Sequence, residues 1–163
     1  MSETNRTLIR TLYEALDRGD GEAMAACYAP TARFRDPAFG ELGGEEAGDM
    51  WRMLTEGAED LSVELAEHDA DERSGTAHWI ARYTFTDTGR PVVNDVRARF
   101  RFADGRIVEH VDEFSFFAWS RQALGPLGLA LGWTPLLPAL TRRRARGRLE
   151  AFRAQRADQR TTR

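Results

Sequence analysis

The chain has no lysine; all 23 of its basic residues are arginine. Schiff-base catalysis and covalent attachment of pyridoxal phosphate both need a lysine amine, so neither is open to it. A single cysteine, Cys27, excludes an internal disulfide and fits a reducing cytoplasm. Its apolar helical setting, Met24-Ala25-Ala26-Cys27-Tyr28, is that of a small core residue rather than a nucleophile. The three histidines, His68, His78 and His110, are too scattered for metal-ligand spacing. Neither a Gly-x-Ser-x-Gly elbow nor a phosphate-cradling glycine loop occurs, and no apolar run reaches membrane-spanning length. The first residues lack the apolar stretch of a signal peptide. These absences point to a cytoplasmic protein with no cofactor and no metal. Its chemistry has to come from carboxylates, one or two histidines, hydroxyls and tryptophans.

What is present suits one domain with a sizeable core: 163 residues, 42% hydrophobic and 30% charged. Charge is lopsided. Nine arginines between Arg142 and Arg163 face only Glu150 and Asp158, a net of +7, which leaves −3 − 7 = −10 for the rest. Such a tail can meet an acidic membrane surface, or it can pack on the acidic body of its own chain. The self-contained arrangement is the expectation, with no nucleic-acid partner and membrane contact as the alternative.

Amphipathic spacing of Leu8, Ile9, Leu12, Tyr13 and Leu16 predicts a first helix over 4–18, ended by Gly19-Asp20-Gly21. A second helix over 21–28 is capped by Asp20, and a third over about 45–56 presents Met50, Trp51, Met53 and Leu54. Between them, Ala32 to Asp36 alternates as a short strand that stops at Pro37. Leu42-Gly43-Gly44 reads as a turn. Strands follow at 61–69, 76–86, 92–102 and 106–117, separated by turn-forming clusters. In 92–102 the faces separate sharply: Val92, Asn94, Val96, Ala98, Phe100 and Phe102 on one side, Asp95, Arg97, Arg99 and Arg101 on the other. The charged face is read as solvent-facing or as part of a homodimer interface. The whole predicts an α+β fold in which a curved, mostly antiparallel sheet wraps the N-terminal helices and encloses a pocket. We divide it into a barrel over 1–125 and, over 126–163, an apolar lid segment followed by a basic helix.

Parity selects the site candidates. Phe34 and Asp36 share a face, as do His110, Asp112 and Phe114. Two carboxylates in an apolar pocket push each other's pKa apart and can act as acid and base. Asp36, Asp112 and His110 are therefore the catalytic candidates. Phe34, Trp51, Trp79, Tyr83, Asn94 and Phe114 are candidate lining residues for an apolar ligand. Each has a structural alternative: Asp36 as a turn residue before proline, Asp112 paired with an arginine, His110 as a satisfied core histidine, Asn94 as a strand-end residue and the aromatic residues as core packing.

Five motifs in order carry a family resemblance. They are Leu16-Asp17-Arg18-Gly19-Asp20, Phe34-Arg35-Asp36-Pro37-x-Phe39-Gly40, Thr88-Gly89-Arg90-Pro91, the run Arg99-Phe100-Arg101-Phe102-x-x-Gly105-Arg106-Ile107-Val108, and Arg121-Gln122-Ala123-Leu124-Gly125. Over about residues 5–125 the chain resembles the nuclear-transport-factor-2-like superfamily, whose branches include ketosteroid isomerases, limonene epoxide hydrolases and SnoaL-like polyketide cyclases. The resemblance implies a cone-shaped α+β barrel, usually in a homodimer. Asp36 falls where ketosteroid isomerases place their base, and Asp112 matches a catalytic carboxylate of the epoxide hydrolases. Other positions depart from these patterns. The isomerase oxyanion acid falls at Ala98 and its tyrosine nearer Leu12 than Tyr13. The partners of the hydrolase carboxylate fall at Trp79 and Ala81, and the cyclase aspartate falls at Ser115. The implied function is a cofactor-independent isomerase, cyclase or epoxide hydrolase; the alternative is a non-catalytic ligand-binding or dimerisation domain.

Overall fold

The computed structural model describes residues 2–163. Its N-terminal helix α1 (Glu3–Asp17) starts where the Ser2 hydroxyl accepts from the Asn5 N–H, and it buries Ile9, Leu12, Tyr13 and Leu16. Helix α2 (Gly21–Ala26) is capped by Asp20, which accepts from the Ala23 N–H at 2.9 Å. Helix α3 (Gly44–Gly57) buries Met50 and Trp51.

Six strands form one sheet in the order β2-β1-β6-β5-β4-β3. They are β1 (Tyr28–Asp36), β2 (Gly40–Gly43), β3 (Ser62–Ala70), β4 (Ser74–Phe85), β5 (Arg90–Ala103) and β6 (Arg106–Glu113). All neighbours are antiparallel except β1 and β6, which run parallel. The fold is thus a curved α+β sheet with its helices packed against the concave side, as the alternation on 92–102 implies. On β5 every second residue from Val92 is inward, while Asp95, Arg97, Arg99 and Arg101 are exposed. The outer face is partly paired within the chain: His78 Nε2 meets Asp95 at 2.8 Å and Arg99 meets Glu113 at 2.6 Å.

Several local expectations are corrected. The second helix ends at Ala26, so Tyr28 opens a strand that runs through Pro30 to Asp36 and does not wait for Ala32. A register shift between Tyr28 and Arg33 interrupts the β1–β6 pairing there and accommodates the proline. The Gly40–Gly43 stretch is a short strand, not merely a turn, because Phe34 and Leu42 pair across it. The last strand stops at Glu113. Ser115 accepts from the Ala118 N–H and caps helix α4 (Phe116–Leu124), so Phe116 belongs to a helix.

In the C-terminal segment most of the apolar stretch is exposed and the basic helix packs on the body. Helix α5 (Pro126–Leu131) does not lay its leucines over the barrel: Leu127, Leu129 and Leu131 are exposed, as are Trp133, Leu136 and Leu140. Gly128 explains the pose, since a Cβ there would lie within bonding range of the Ser120 carbonyl; only glycine lets α5 sit so close on α4 with the flanking leucines outward. The arginine-rich helix α6 (Leu136–Thr161) is the part that docks. Leu149 is buried in the core, Arg153 meets Asp49 at 3.0 Å and Arg156 meets Glu22 at 3.4 Å. Arg146 donates to the carbonyls of Phe39 and Glu41, and Arg148 donates to both carboxylate oxygens of Asp87. The basic helix therefore packs on the acidic body, where opposite charge offsets the desolvation of both.

Candidate functional site

Register builds the site. In the parallel pair β1–β6, Phe34 lies opposite His110 and Arg35 opposite Val111; the next residues of the two strands are Asp36 and Asp112, and the charge of Asp112 is felt at Asp36. Across β5–β6, Phe100 faces His110 and Ala98 faces Asp112. The rings of Phe34 and Phe100 lie 5.1 and 4.4 Å from the His110 ring. His110 is fully buried and Asp112 is 4% exposed.

These buried polar groups are joined in one chain. The Trp51 indole Nε1–H donates to the Tyr28 hydroxyl at 2.9 Å, Tyr28 meets His110 Nδ1 at 2.7 Å, and His110 Nε2 meets Asp112 Oδ1 at 2.8 Å. An indole can only donate and a carboxylate can only accept. The tautomer that satisfies both ends carries the ring hydrogen on Nε2, and the Tyr28 hydroxyl then donates to Nδ1. Every link runs towards Asp112, whose Oδ2 takes no hydrogen bond among the described residues. Tyr28 is fixed as a neutral donor: burial first, then the negative charge of Asp112, hold its pKa well above the ordinary tyrosine value.

Asp36 behaves differently. Its Oδ1 accepts from the Phe39 N–H at 2.6 Å, so it is the turn residue that an Asp-Pro pair suggests and also an inward carboxylate. Burial pushes its pKa up to about 7, and the charge of Asp112 adds to that push; the N–H groups of Phe39, Ala38 and Gly40 act the other way. The site thus holds one carboxylate anchored by histidine and a second that titrates near neutrality.

Two further donors lie in the interior: Trp79, one of the lining candidates, and Tyr13, which sequence reasoning did not place in the site. The Tyr13 hydroxyl and the Trp79 Nε1–H are buried without a hydrogen-bond partner, and their rings lie 5.1 Å apart. Burial and the Asp112 charge hold the Tyr13 pKa well above its ordinary value, so it stays a protonated donor near that carboxylate. An orphaned buried donor costs about 1–3 kcal/mol, which an acceptor atom on a ligand would relieve. The signal for Tyr13 was its place on the inward stripe of α1. Tyr28 was hidden by the expected helix over 21–28.

The other candidates fall as follows. Tyr83 accepts from the Trp119 Nε1–H at 2.8 Å, and its own pKa is raised by burial, with the Asp36 charge adding. Phe114 lies just beyond β6 and packs against both apolar clusters of the core. Asn94 is half-buried opposite Ala81 and makes no side-chain hydrogen bond among the described residues. Two surface clefts are lined by neither carboxylate. The larger of these, about 270 Å³, is bordered by α2, the start of β1, α3 and Arg160, and the smaller, about 160 Å³, by the end of α1, Thr55 of α3 and the loop before β3. Packed aromatic rings occupy the barrel interior instead. Among the described residues no three His, Cys, Asp or Glu side chains gather to hold a metal.

Comparison with solved structures finds the same fold in many proteins. A protein from Catenulispora acidiphila with a ketosteroid isomerase-like fold, in complex with trimethylamine, is 18% identical, with a TM-score of 0.64 over 78% of this chain and 97% of its own. A putative polyketide cyclase from Xanthomonas campestris is 20% identical, with a TM-score of 0.63 over 74% and 97%. An epoxide hydrolase from M. tuberculosis resembling limonene epoxide hydrolase is 18% identical, with a TM-score of 0.61 over 74% and 90%. No curated protein matches the chain. Residues 9–110, more than half of the sequence, match the SnoaL-like domain, and the chain belongs to that family, with the nuclear-transport-factor-2-like fold.

Proposed function

We propose that the protein is a cofactor-independent acid–base enzyme acting on a largely apolar small molecule that carries a carbonyl or epoxide oxygen. The carrying observation is the directional chain Trp51–Tyr28–His110–Asp112, which ends on a carboxylate with a free Oδ2. In this reading Asp112 is the base, taking a proton from an activated carbon or from water, and His110 holds and polarises it. Asp36, with its pKa near 7, is the acid that protonates the developing alkoxide or enolate. Tyr13 and Trp79 supply the two donors that bind the substrate oxygen, replacing the oxyanion residues missing at Ala98 and Leu12. Phe34, Phe100 and Phe114 form the apolar walls.

The test offers wild-type protein panels of α,β-unsaturated ketones and epoxides and follows product formation. Turnover on either panel that Asp112→Asn suppresses is the expected result. A second reading is a non-catalytic ligand-binding or dimerisation domain; the observation behind it is that both carboxylates lie outside the two clefts. Tight binding of apolar ligands without turnover, unchanged by Asp36→Asn and Asp112→Asn, would establish that reading instead.

A homodimer in the cytoplasm belongs to the same proposal. Arg97 and Arg101 stand on the outer sheet face with no partner among the described residues and are available to carboxylates of a second chain. Light scattering at micromolar concentration should return a two-chain mass; a one-chain mass rejects the dimer.

A further inference from the structure

The apolar corner formed by α4, α5 and the start of α6 has no cover in the chain. Trp133 is 74% exposed, and Leu127, Leu129, Leu136 and Leu140 are each more than half exposed. These residues are contiguous with Phe117: a Cβ built on Gly132 would lie 3.2 Å from the Phe117 ring. On α6, Leu137 and Leu149 turn inward, while Leu136, Leu140 and Arg143 follow the i, i+4, i+7 spacing of one outward stripe. On α4, Phe117 and Arg121 share a face in the same way.

Charge says what this surface meets. From Phe114 to Leu149 the chain carries six arginines and no carboxylate. Arg121 and Arg143 are exposed and have no partner among the described residues. Arg142 and Arg146 bond to neutral carbonyls, and Asp87 alone answers Arg144 and Arg148. A surface combining exposed leucines, an exposed tryptophan and uncompensated arginines is complementary to a lipid–water interface with anionic headgroups. A second copy of the chain fits less well, because a two-fold contact through this corner would set Arg121 and Arg143 against the same positive patch. No helix among the described residues is long and apolar enough to cross a bilayer, so the geometry is one of lying on the surface. The corner also lies beyond residue 110, where the SnoaL-like match ends.

We propose that the α4–α5–α6 corner is a peripheral docking surface for membranes rich in anionic phospholipid, with Trp133 and the leucines entering the interface and Arg121 and Arg143 meeting headgroups. The test is co-sedimentation of the full chain with vesicles of phosphatidylcholine and phosphatidylglycerol, against vesicles of phosphatidylcholine alone. Partitioning should be at least about tenfold stronger on the anionic vesicles. Arg121→Glu with Arg143→Glu should reduce it at least about tenfold, and Trp133→Ser with Leu136→Ser should reduce it comparably. All four positions are exposed, so melting curves of the variants should overlay that of the wild type. Because Trp51, Trp79 and Trp119 are buried, a blue shift of tryptophan emission on vesicle addition reports Trp133. Absent or equal binding to the two vesicle types overturns the proposal, as does binding that survives both double variants. A two-chain mass in light scattering that Trp133→Ser with Leu136→Ser reduces to one chain assigns the corner to self-association and overturns it too.

Discussion

Replacing Asp112 with asparagine should lower kcat/KM by about 10²–10⁴ while leaving the protein folded. The two halves of this expectation have separate causes. Asparagine keeps an acceptor oxygen for the His110 Nε2–H and has nearly the same volume, so the chain from Trp51 through Tyr28 to His110 stays satisfied. It cannot accept the substrate's proton, so only the chemistry is lost. His110→Ala is the less informative variant. It would empty a fully buried site and strip both Tyr28 and Asp112 of their partners, costing about 3–5 kcal/mol through cavity and unpaired-group terms. Activity loss in that variant would not separate folding from catalysis. The comparison of Asp112→Asn with Asp36→Asn also assigns roles. If Asp112 is the base, Asp112→Asn is the inactive variant, and Asp36→Asn retains activity wherever water can protonate the leaving oxygen. The reverse pattern makes Asp36 the base, as in an isomerase. A kcat/KM for Asp112→Asn within about threefold of wild type would remove Asp112 from the chemistry altogether.

Asp36→Asn should make the protein more stable than wild type above pH 7 and indistinguishable from it below about pH 4. The folded pKa is raised to about 7, against an unfolded value of 3.8. Between those values the folded chain holds a proton at Asp36 that the unfolded chain has released. Stability consequently falls as pH rises through this window, by at most about 4 kcal/mol and by less where solvent reaches the half-buried carboxylate. Asparagine keeps an acceptor for the Phe39 N–H and has no charge to desolvate, so it escapes the loss. Melting temperatures of the two proteins, followed from pH 4 to pH 8, isolate this group because all other titrations are shared. Curves that stay parallel across the window would show that Asp36 is ionised at neutral pH and cannot be the acid. In the enzyme, the same titration should appear as activity declining above about pH 7.

Much of this protein was settled by its sequence alone, through patterns that depend only on neighbours along the chain. The alternation of Val92 to Phe102 requires a strand with one buried face, because period-2 side-chain geometry leaves no other way to hide four large apolar groups from water beside three arginines. The inward placement of His110 and Asp112 follows from the same parity, as does that of Asp36 with Phe34. The expected absences of lysine chemistry and disulfides needed no coordinates. Pairing across the sheet was decided elsewhere. That Asp36 feels the charge of Asp112, that Tyr28 closes on His110, and that Tyr13 and Trp79 are left as unpartnered donors all depend on the parallel β1–β6 register and on how α1 packs into the sheet. The C-terminal segment shows the limit most clearly. Composition marks its leucines for burial and its arginines for an acidic partner without saying which residues meet it; α6 docks through Arg153, Arg156 and Leu149 while Leu127, Trp133 and Leu140 stay outside. Hydrophobicity sets what burial is worth, but the acidic surface of α2 and α3 and the steric fit of Gly128 against Ser120 set which residues can reach a partner, and only the tertiary structure supplies both.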